Sequence, residues 1–412
     1  MKLKNLTDFI YKFPFLLWIT GLFTMHSFGY QEIVKKTDTL FKTEVLLVHD
    51  WQKLQEVKRR VSNIPSLPQT LTNLYKTADN VLKEEVLSVT HKTQLPPSGS
   101  AHDYLSLAPY WWPDPKKTDG LPWIWRDGEI NPLTQGNKVD QPVKTRFFKN
   151  IDILSRAYFF SEETKYAEKA LQLLEAWFIN PSTRMNPNLN YAQGIPGRNT
   201  GRGIGIIEFA GIRNILKCLE ILKKFKKISK NNITSINSWL ENYLTWLQTS
   251  EFGIFEKNKE NNHGTWYDVQ EVSLLLYLQK YDNAKTVLKS VKENRITKQI
   301  ETDGSQPHEL KRTKSLSYST MNLKALTILA VYGKKLNVNL FDFTTTDNRS
   351  IQNAYHFLYP YALKQKEWKY QQINGQTLAH QQLQRLVIQA GYLFEISTFK
   401  KVGAPNWIDL YY

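Results

Sequence analysis

From Leu40 onward, apolar residues recur at three- and four-residue spacing almost without a break, and this pattern constrains the chain more than any other feature. Stretches at residues 40–61, 68–89, 145–160, 164–179, 204–227, 233–249, 265–280, 283–294, 315–333, 350–364 and 378–396 each read as a helix. Strand-like alternation is scarce, so the predicted class is all-α. A helix with one apolar stripe must bury it against a neighbour. The joins carry turn signals such as Asn180-Pro181 and Tyr332-Gly333-Lys334. Helix hairpins closing into a ring give the expected architecture, an α/α barrel (toroid) in a single domain. Its core is expected at about residues 40–395 of a mature 30–412 chain. No fixed short repeat is visible, although helix pairs recur loosely.

The first residues stand apart. Lys2, Lys4 and Lys12 precede an apolar run from Phe13 to Phe23, which is shorter than the roughly 20 residues that span a bilayer. Ser27 and Gly29 then suit a cut before Tyr30, so residues 1–29 read as a signal peptide, with an uncleaved anchor as the alternative. No cysteine follows the apolar run to take a lipid. The expectation is export to the periplasm or medium. The lone Cys218 cannot form an internal disulfide, so an exported chain of this size must rely on its core.

The formal charge is +16, or +14 without the three lysines and one aspartate of the leader. Nucleic acid, acidic polysaccharide and anionic membrane all fit that sign. The leader argues against nucleic acid, and no nucleic-acid motif is present. The chain after the leader has no long apolar stretch, so stable membrane insertion is not expected, and a monomer is.

Two segments break the helical pattern: His91 to Lys144, rich in Pro, Gly and Trp, and Asn186 to Gly205, rich in Gly, Asn and Arg. Irregular segments of this length in a helical protein are functional or disordered. Disorder rarely retains Tyr110, Trp111, Trp112, Trp123 and Trp125 in one stretch. A barrel would seat both segments at one mouth.

Four groups of residues invite chemistry. In NNHGTWYDVQ, Asn262 and His263 precede a helix that Thr265 is placed to cap, and a helix N-terminus suits an anion. The same residues also fit a polar loop with an ordinary cap. In the segment from Pro307, Leu316, Leu323 and Ala330 mark one helix face, while Tyr318 points the other way with Asn322 and Ala325. Arg312 at that helix entrance is placed to grip a carboxylate. A buried Tyr318 with an exposed Arg312 fits as well. Arg198 and Arg202, in a loop that lacks the P-loop ending, read as polyanion contacts or as a solvated basic loop. Trp111 and Trp112 read as sugar-stacking rings or as a satellite apolar cluster. Tyr110, Tyr191, Trp266 and His308 lie in the same segments and join them as candidate substrate contacts. His102, His263 and His308 show no ligand spacing, so no metal site is expected.

At these residues the chain resembles the alginate lyase domain family of helical-barrel polysaccharide lyases. The matching pieces, in the family's order, are Pro96 to Pro115 (PPSGSAHDYLSLAPYWWPDP), Gly197 to Glu208 (GRNTGRGIGIIE), NNHGTWYDVQ and Pro307 to Leu323. The resemblance implies one catalytic α/α-barrel domain that cleaves a 1,4-linked uronan, with mannuronate-rich alginate as the expected substrate, by β-elimination without a cofactor. Carried over residue by residue, it implies a catalytic group of Asn262, His263, Arg312 and Tyr318, with the Arg-to-Tyr spacing matching less closely than the Asn-His pair. On this view Asn262, Arg312 and His263 stabilise the enolate, and Arg312 draws the Tyr318 phenol below its usual range. The long carboxy-terminal domain of some exolytic relatives is not seen, which favours endolytic action. A glucuronan lyase of the same fold is one alternative. The others are a hydrolase using Asp268, Glu271 or Asp303 and a non-catalytic glycan-binding protein.

Overall fold

The computed structural model describes residues 48–410, and the expected signal peptide and residues 40–47 of the first expected helix lie outside them. The described chain is one domain, mostly helical. Its longer helices are α1 (Trp51–Arg59), α2 (Leu67–Leu82), α3 (Gln141–Ser161), α4 (Thr164–Phe178), α5 (Ile212–Lys224), α6 (Lys230–Thr249), α7 (Glu251–Lys257), α8 (Asn262–Tyr277), α9 (Tyr281–Val291), α10 (Ser315–Lys335), α11 (Ile351–Ala362) and α12 (Gln376–Leu393). Helices α3, α5, α8, α10 and α12 pack each against the next to form the inner wall. Outside them, α4 lies on α3, α9 on α8, and α11 on α10 and α12. The turn Trp407–Leu410 packs on α1 and α2, bringing the two ends of the described chain together. This is the α/α barrel of helix hairpins. Among the described residues no helix is long and apolar enough to cross a membrane.

The inner helix α10 is buried on more than one face. On α10, Leu316, Leu323 and Ala330 are buried, but so are Asn322 and Ala325 on the opposite face. The single packed stripe expected from spacing is therefore a helix buried over most of its circumference, with Lys324 and Lys334 exposed. Polar side chains inside such a wall must bond to each other. Asn322 Nδ2 donates to Gln299 Oε1 (3.0 Å) and Gln306 Oε1 (2.9 Å), and Thr265 Oγ1 donates to the same Gln299 oxygen (2.9 Å). This amide cluster ties the start of α8 to the helix that carries Tyr318.

The two irregular segments meet, as a shared mouth requires. Strand β1 (Leu105–Leu107) pairs in parallel with β4 (Tyr191–Gly194), and β2 (Trp111–Trp112) pairs antiparallel with β3 (Ile124–Trp125). Ala108, Trp123 and Ile195 form a small apolar centre beneath them, with Leu107 and Trp111 against it. At its base the first segment is anchored by Lys92 and Asp140, a buried ion pair at 3.1 Å whose carboxylate also accepts the Leu105 N–H (2.7 Å). The expected helix at 204–227 is instead a 3₁₀ stretch, Gly203–Phe209, followed by α5, and α7 is a short helix that the apolar spacing did not reveal.

Candidate active site

Helix α8 begins three residues earlier than its apolar pattern indicates. Asn261, not Thr265, is the cap: its side chain accepts from the His263 N–H (3.2 Å), so Asn262 and His263 form the first turn. The chain reaches this point through a sharp approach from α7. Arg295, in a π-helical turn at Lys292–Ile296, holds that approach in place. Its guanidinium donates to the Lys257 and Lys259 carbonyls (2.7 and 3.0 Å) and pairs with buried Asp268 (2.8 and 3.1 Å). A Cβ on Gly264 would lie 2.1 Å from the Lys259 carbonyl oxygen and 2.8 Å from Arg295 Nη1, so only glycine fits there.

Each candidate donor is backed by a carboxylate that the sequence reading did not single out. Glu309, in the turn Pro307–Leu310, accepts from both the backbone N–H and the side-chain amide of Asn262, each at 2.7 Å. The anion at this helix N-terminus is thus the protein's own. Burial pushes the Glu309 carboxyl up, while the Asn262 bonds and the charges of His263 and Arg312 pull it down. Glu256, fully buried on α7, meets His263 Nδ1 at 2.6 Å. With Glu256 ionised, the proton sits on Nδ1 and leaves the Nε2 lone pair for another partner.

Arg312 is likewise committed. Its Nε reaches both oxygens of Asp127 (3.2 and 3.1 Å) and its Nη2 reaches Oδ1 (2.5 Å). The expected two-pronged grip exists, but its carboxylate is Asp127 rather than a ligand. Burial alone would lift the Asp127 carboxyl, yet the bonds from Arg312 and Thr313 hold it below the usual range. The same Nη2 donates to Tyr318 Oη (3.0 Å), and the guanidinium lies 4.0 Å from the centre of the Tyr318 ring. Tyr110 Oη is 2.8 Å from Tyr318 Oη.

The phenol of Tyr318 does not behave as Arg312 alone would dictate. Burial pushes it well above its usual range, and Tyr110 and Asp127 add to the rise; Arg312 pulls down but does not win. Tyr318 is therefore a neutral phenol. Asn262 bonds to the Glu309 carboxylate, the Glu309 carbonyl accepts from the Arg312 N–H (3.1 Å), and Arg312 donates to Tyr318, so these residues are joined by hydrogen bonds, while His263, next to Asn262, bonds to Glu256.

The other candidates fall into two groups. Trp111 packs on the small apolar centre, and Arg198 covers it at 5.0 Å from the ring centre while donating to the Trp123 carbonyl (3.1 Å). Its packing is that of the satellite apolar cluster. Trp112 is covered by Arg126 at 5.1 Å and donates its indole N–H to the Glu129 carbonyl (3.1 Å). Arg202 is drawn inward, donating to the backbone and side-chain oxygens of Gln193 (3.1 and 2.8 Å). Tyr191 lies half-buried on β4, and Trp266 half-buried one turn after His263. His308 is exposed, whereas its neighbour Glu309 is the buried member of that turn. The carboxylates considered for hydrolysis are occupied elsewhere. Asp268 pairs with Arg295, Glu271 accepts from Gln248 (2.8 Å) and Lys257 (3.3 Å), and Asp303 accepts from the Ser305 N–H (2.9 Å).

The chain has clear relatives among known proteins in sequence and fold. The sequence model of the alginate lyase family matches residues 88–368. The crystal structure of an alginate lyase from Bacteroides ovatus is similar at a TM-score of 0.83 and 35% identity, over 86% of this chain and 93% of that one. An alginate lyase A1-III variant complexed with a tetrasaccharide is similar in fold, at a TM-score of 0.51 and 18% identity over 80% of this chain and 89% of that one. No curated protein sequence matches. The family match over most of the chain and the relative at 35% identity lead to one assignment: this chain belongs to the alginate lyase family and is a polysaccharide lyase.

Proposed function

We propose that this lyase cleaves alginate, with a preference for mannuronate-rich stretches, by β-elimination at a site made by Tyr318, Arg312, His263 and Asn262. The observation that carries the reading is the contact of the Arg312 guanidinium with the Tyr318 phenol, 3.0 Å from its oxygen and 4.0 Å from its ring centre. A cation held there favours the phenolate, against the burial that favours the neutral phenol.

The chemistry follows from the substrate. The proton to be removed is on C5, beside a carboxylate, and is barely acidic while that carboxylate is charged. Donors from Asn262 and Arg312 stabilise the enolate as it develops. In mannuronate the C5 proton and the departing O4 lie on one side of the ring, so Tyr318 takes the proton and returns one to O4. In guluronate they lie on opposite sides, and His263 Nε2 is the base while Tyr318 is the acid. Trp111, Trp112, Arg198, Arg202, Tyr110, Tyr191, Trp266 and His308 are proposed contacts for flanking sugars. The leader-like residues 1–29 support export, and we propose a monomer working in the periplasm or medium.

The test is ultraviolet absorbance of the new double bond while purified protein acts separately on polymannuronate, polyguluronate and glucuronan. A rise fastest with polymannuronate supports the proposal. A rise only with glucuronan replaces the substrate and keeps the reaction. No rise with any of them, from folded protein, overturns the reading.

A further inference from the structure

We propose that Asp127 is a positioning residue of the lyase reaction: it fixes the Arg312 guanidinium against the Tyr318 phenol and offsets the guanidinium charge there. The proposal rests on the reading of Tyr318 as the reacting phenol.

The geometry is specific. Asp127 receives three contacts from Arg312, and also accepts from the Thr313 N–H and the Thr313 hydroxyl, each at 3.0 Å. Its own backbone carbonyl accepts from that same hydroxyl (3.0 Å). The Asp127 side chain is 8% exposed and that of Arg312 is 21% exposed, so the pair is shielded from water and from salt more than a surface bridge would be. The next residue, Gly128, sits at φ +76°, and a Cβ there would lie 2.5 Å from Thr313 Oγ1. The long irregular segment is thus pressed against the entrance of α10 here.

That contact couples two things usually kept separate. A loop can dock through apolar residues remote from any chemistry. This one docks through the arginine that touches Tyr318, and it also delivers Tyr110 to the same phenol. Arg312 free of Asp127 would keep its hydrogen bond to Tyr318 by only one flexible side chain, at a cost in rotamer entropy. Its charge would then act on the phenol without compensation.

The charged and titratable groups around the phenol define the expected direction. Tyr110 meets it from the irregular segment, Arg312, itself paired with Asp127, meets it from the approach to α10, and Glu309, three residues before Arg312, feels the charges of Arg312 and His263. Lys314 lies 5.9 Å from the centre of the Tyr110 ring. Arg126 and Glu129, flanking Asp127, oppose each other at 4.0 Å. Removing the Asp127 charge takes away one raising influence and leaves the pull of Arg312 in place, so the phenolate is favoured relative to the wild type although burial still opposes it.

The experiment compares the wild type with Asp127→Asn and Asp127→Glu as full-length proteins. Asp127→Asn is expected to lower kcat roughly a hundredfold, the scale on which misplaced catalytic groups act. KM is expected to stay within about threefold, since the loss is in the transition state. Whichever limb of the pH profile belongs to Tyr318 moves to lower pH, and Asp127→Glu restores part of the rate. A second readout needs no polymer. Near-ultraviolet titration of phenolate should show one tyrosine ionising at lower pH in Asp127→Asn, and that step should vanish when Tyr318→Phe is added. Should Asp127→Asn not fold, Thr313→Val, which removes one hold on the carboxylate, is expected to move the same step in the same direction. A folded variant with unshifted phenol titration and wild-type kcat overturns the proposal. A wild type that cleaves no uronan would instead sink the substrate reading, and the titration would still decide the role of Asp127.

Discussion

Tyr110 and Tyr318 stand 208 positions apart and meet through their phenolic oxygens at 2.8 Å. One comes from the irregular segment over the mouth, the other from the first turn of an inner-wall helix. Their contact means that the phenol proposed to react is already hydrogen-bonded on two sides, by Tyr110 and Arg312, before any substrate arrives. A sugar O4 entering here must take over one of those bonds.

Replacing Tyr318 with Phe removes the proposed acid and base while leaving the ring in place. Turnover should fall by about 10²- to 10⁴-fold, the range for general acid–base groups. Binding of an oligomannuronate by calorimetry should persist. Near-normal turnover in folded Tyr318→Phe would rule out the assignment.

Glu256→Gln tests the histidine. The amide can donate to Nδ1, which places the imidazole proton on Nε2 and makes His263 a donor rather than a base. Kinetics on the two homopolymers should show a larger loss of kcat with polyguluronate, where the base is His263, than with polymannuronate. Equal losses would remove His263 from the base role.

Gly264→Ala should destabilise the fold by about 2 kcal/mol, as overpacking in an enclosed site does. The added methyl meets the Lys259 carbonyl, a backbone group that cannot swing away. Removing the side chain of Arg295 should cost more, about 3–5 kcal/mol, because Asp268 would be left buried without its partner. Urea midpoints of the two variants check both the size and the order.

A fourth expectation concerns acid. Burial pushes His49 down to about 4 from 6.5, against the upward pull of Glu220, with Lys217 and Lys335 adding to the fall. The unfolded chain therefore binds the proton more readily between those values. Stability from this group is complete above about 6.5 and is lost as the pH falls toward about 4. Denaturation midpoints across that window should decline in the wild type and decline less in His49→Asn.

Much of this architecture was legible in the chain itself. Inner and outer helices show as apolar spacing because each must cover a neighbour. Asn262, His263, Arg312 and Tyr318 stand in segments whose residue types suit an anionic sugar. What spacing could not give was partnership. Glu256, Glu309 and Asp127 lie 7, 47 and 185 positions from the donors they meet, and only folding brings them there. Glu309 and His308 are neighbours on a turn too short to reveal which one faces inward. The start of α8 was misplaced because consecutive asparagines, Asn261 and Asn262, mask which residue caps the helix. Strands β1 and β4, with three and four residues, are too short to show alternation.

The carboxylates behind Asn262, His263 and Arg312 have a consequence for how the polymer is reached. A mouth whose donors are already matched projects little field into the solvent. Long-range attraction must then come from the general excess of basic residues, 54 Lys and Arg against 38 Asp and Glu. Distant attraction is what dissolved ions weaken first, since their screening reaches across about 8 Å at physiological strength. Brine should therefore slow the arrival of the polymer, read in kcat/KM, well before it slows the chemistry of chains already seated.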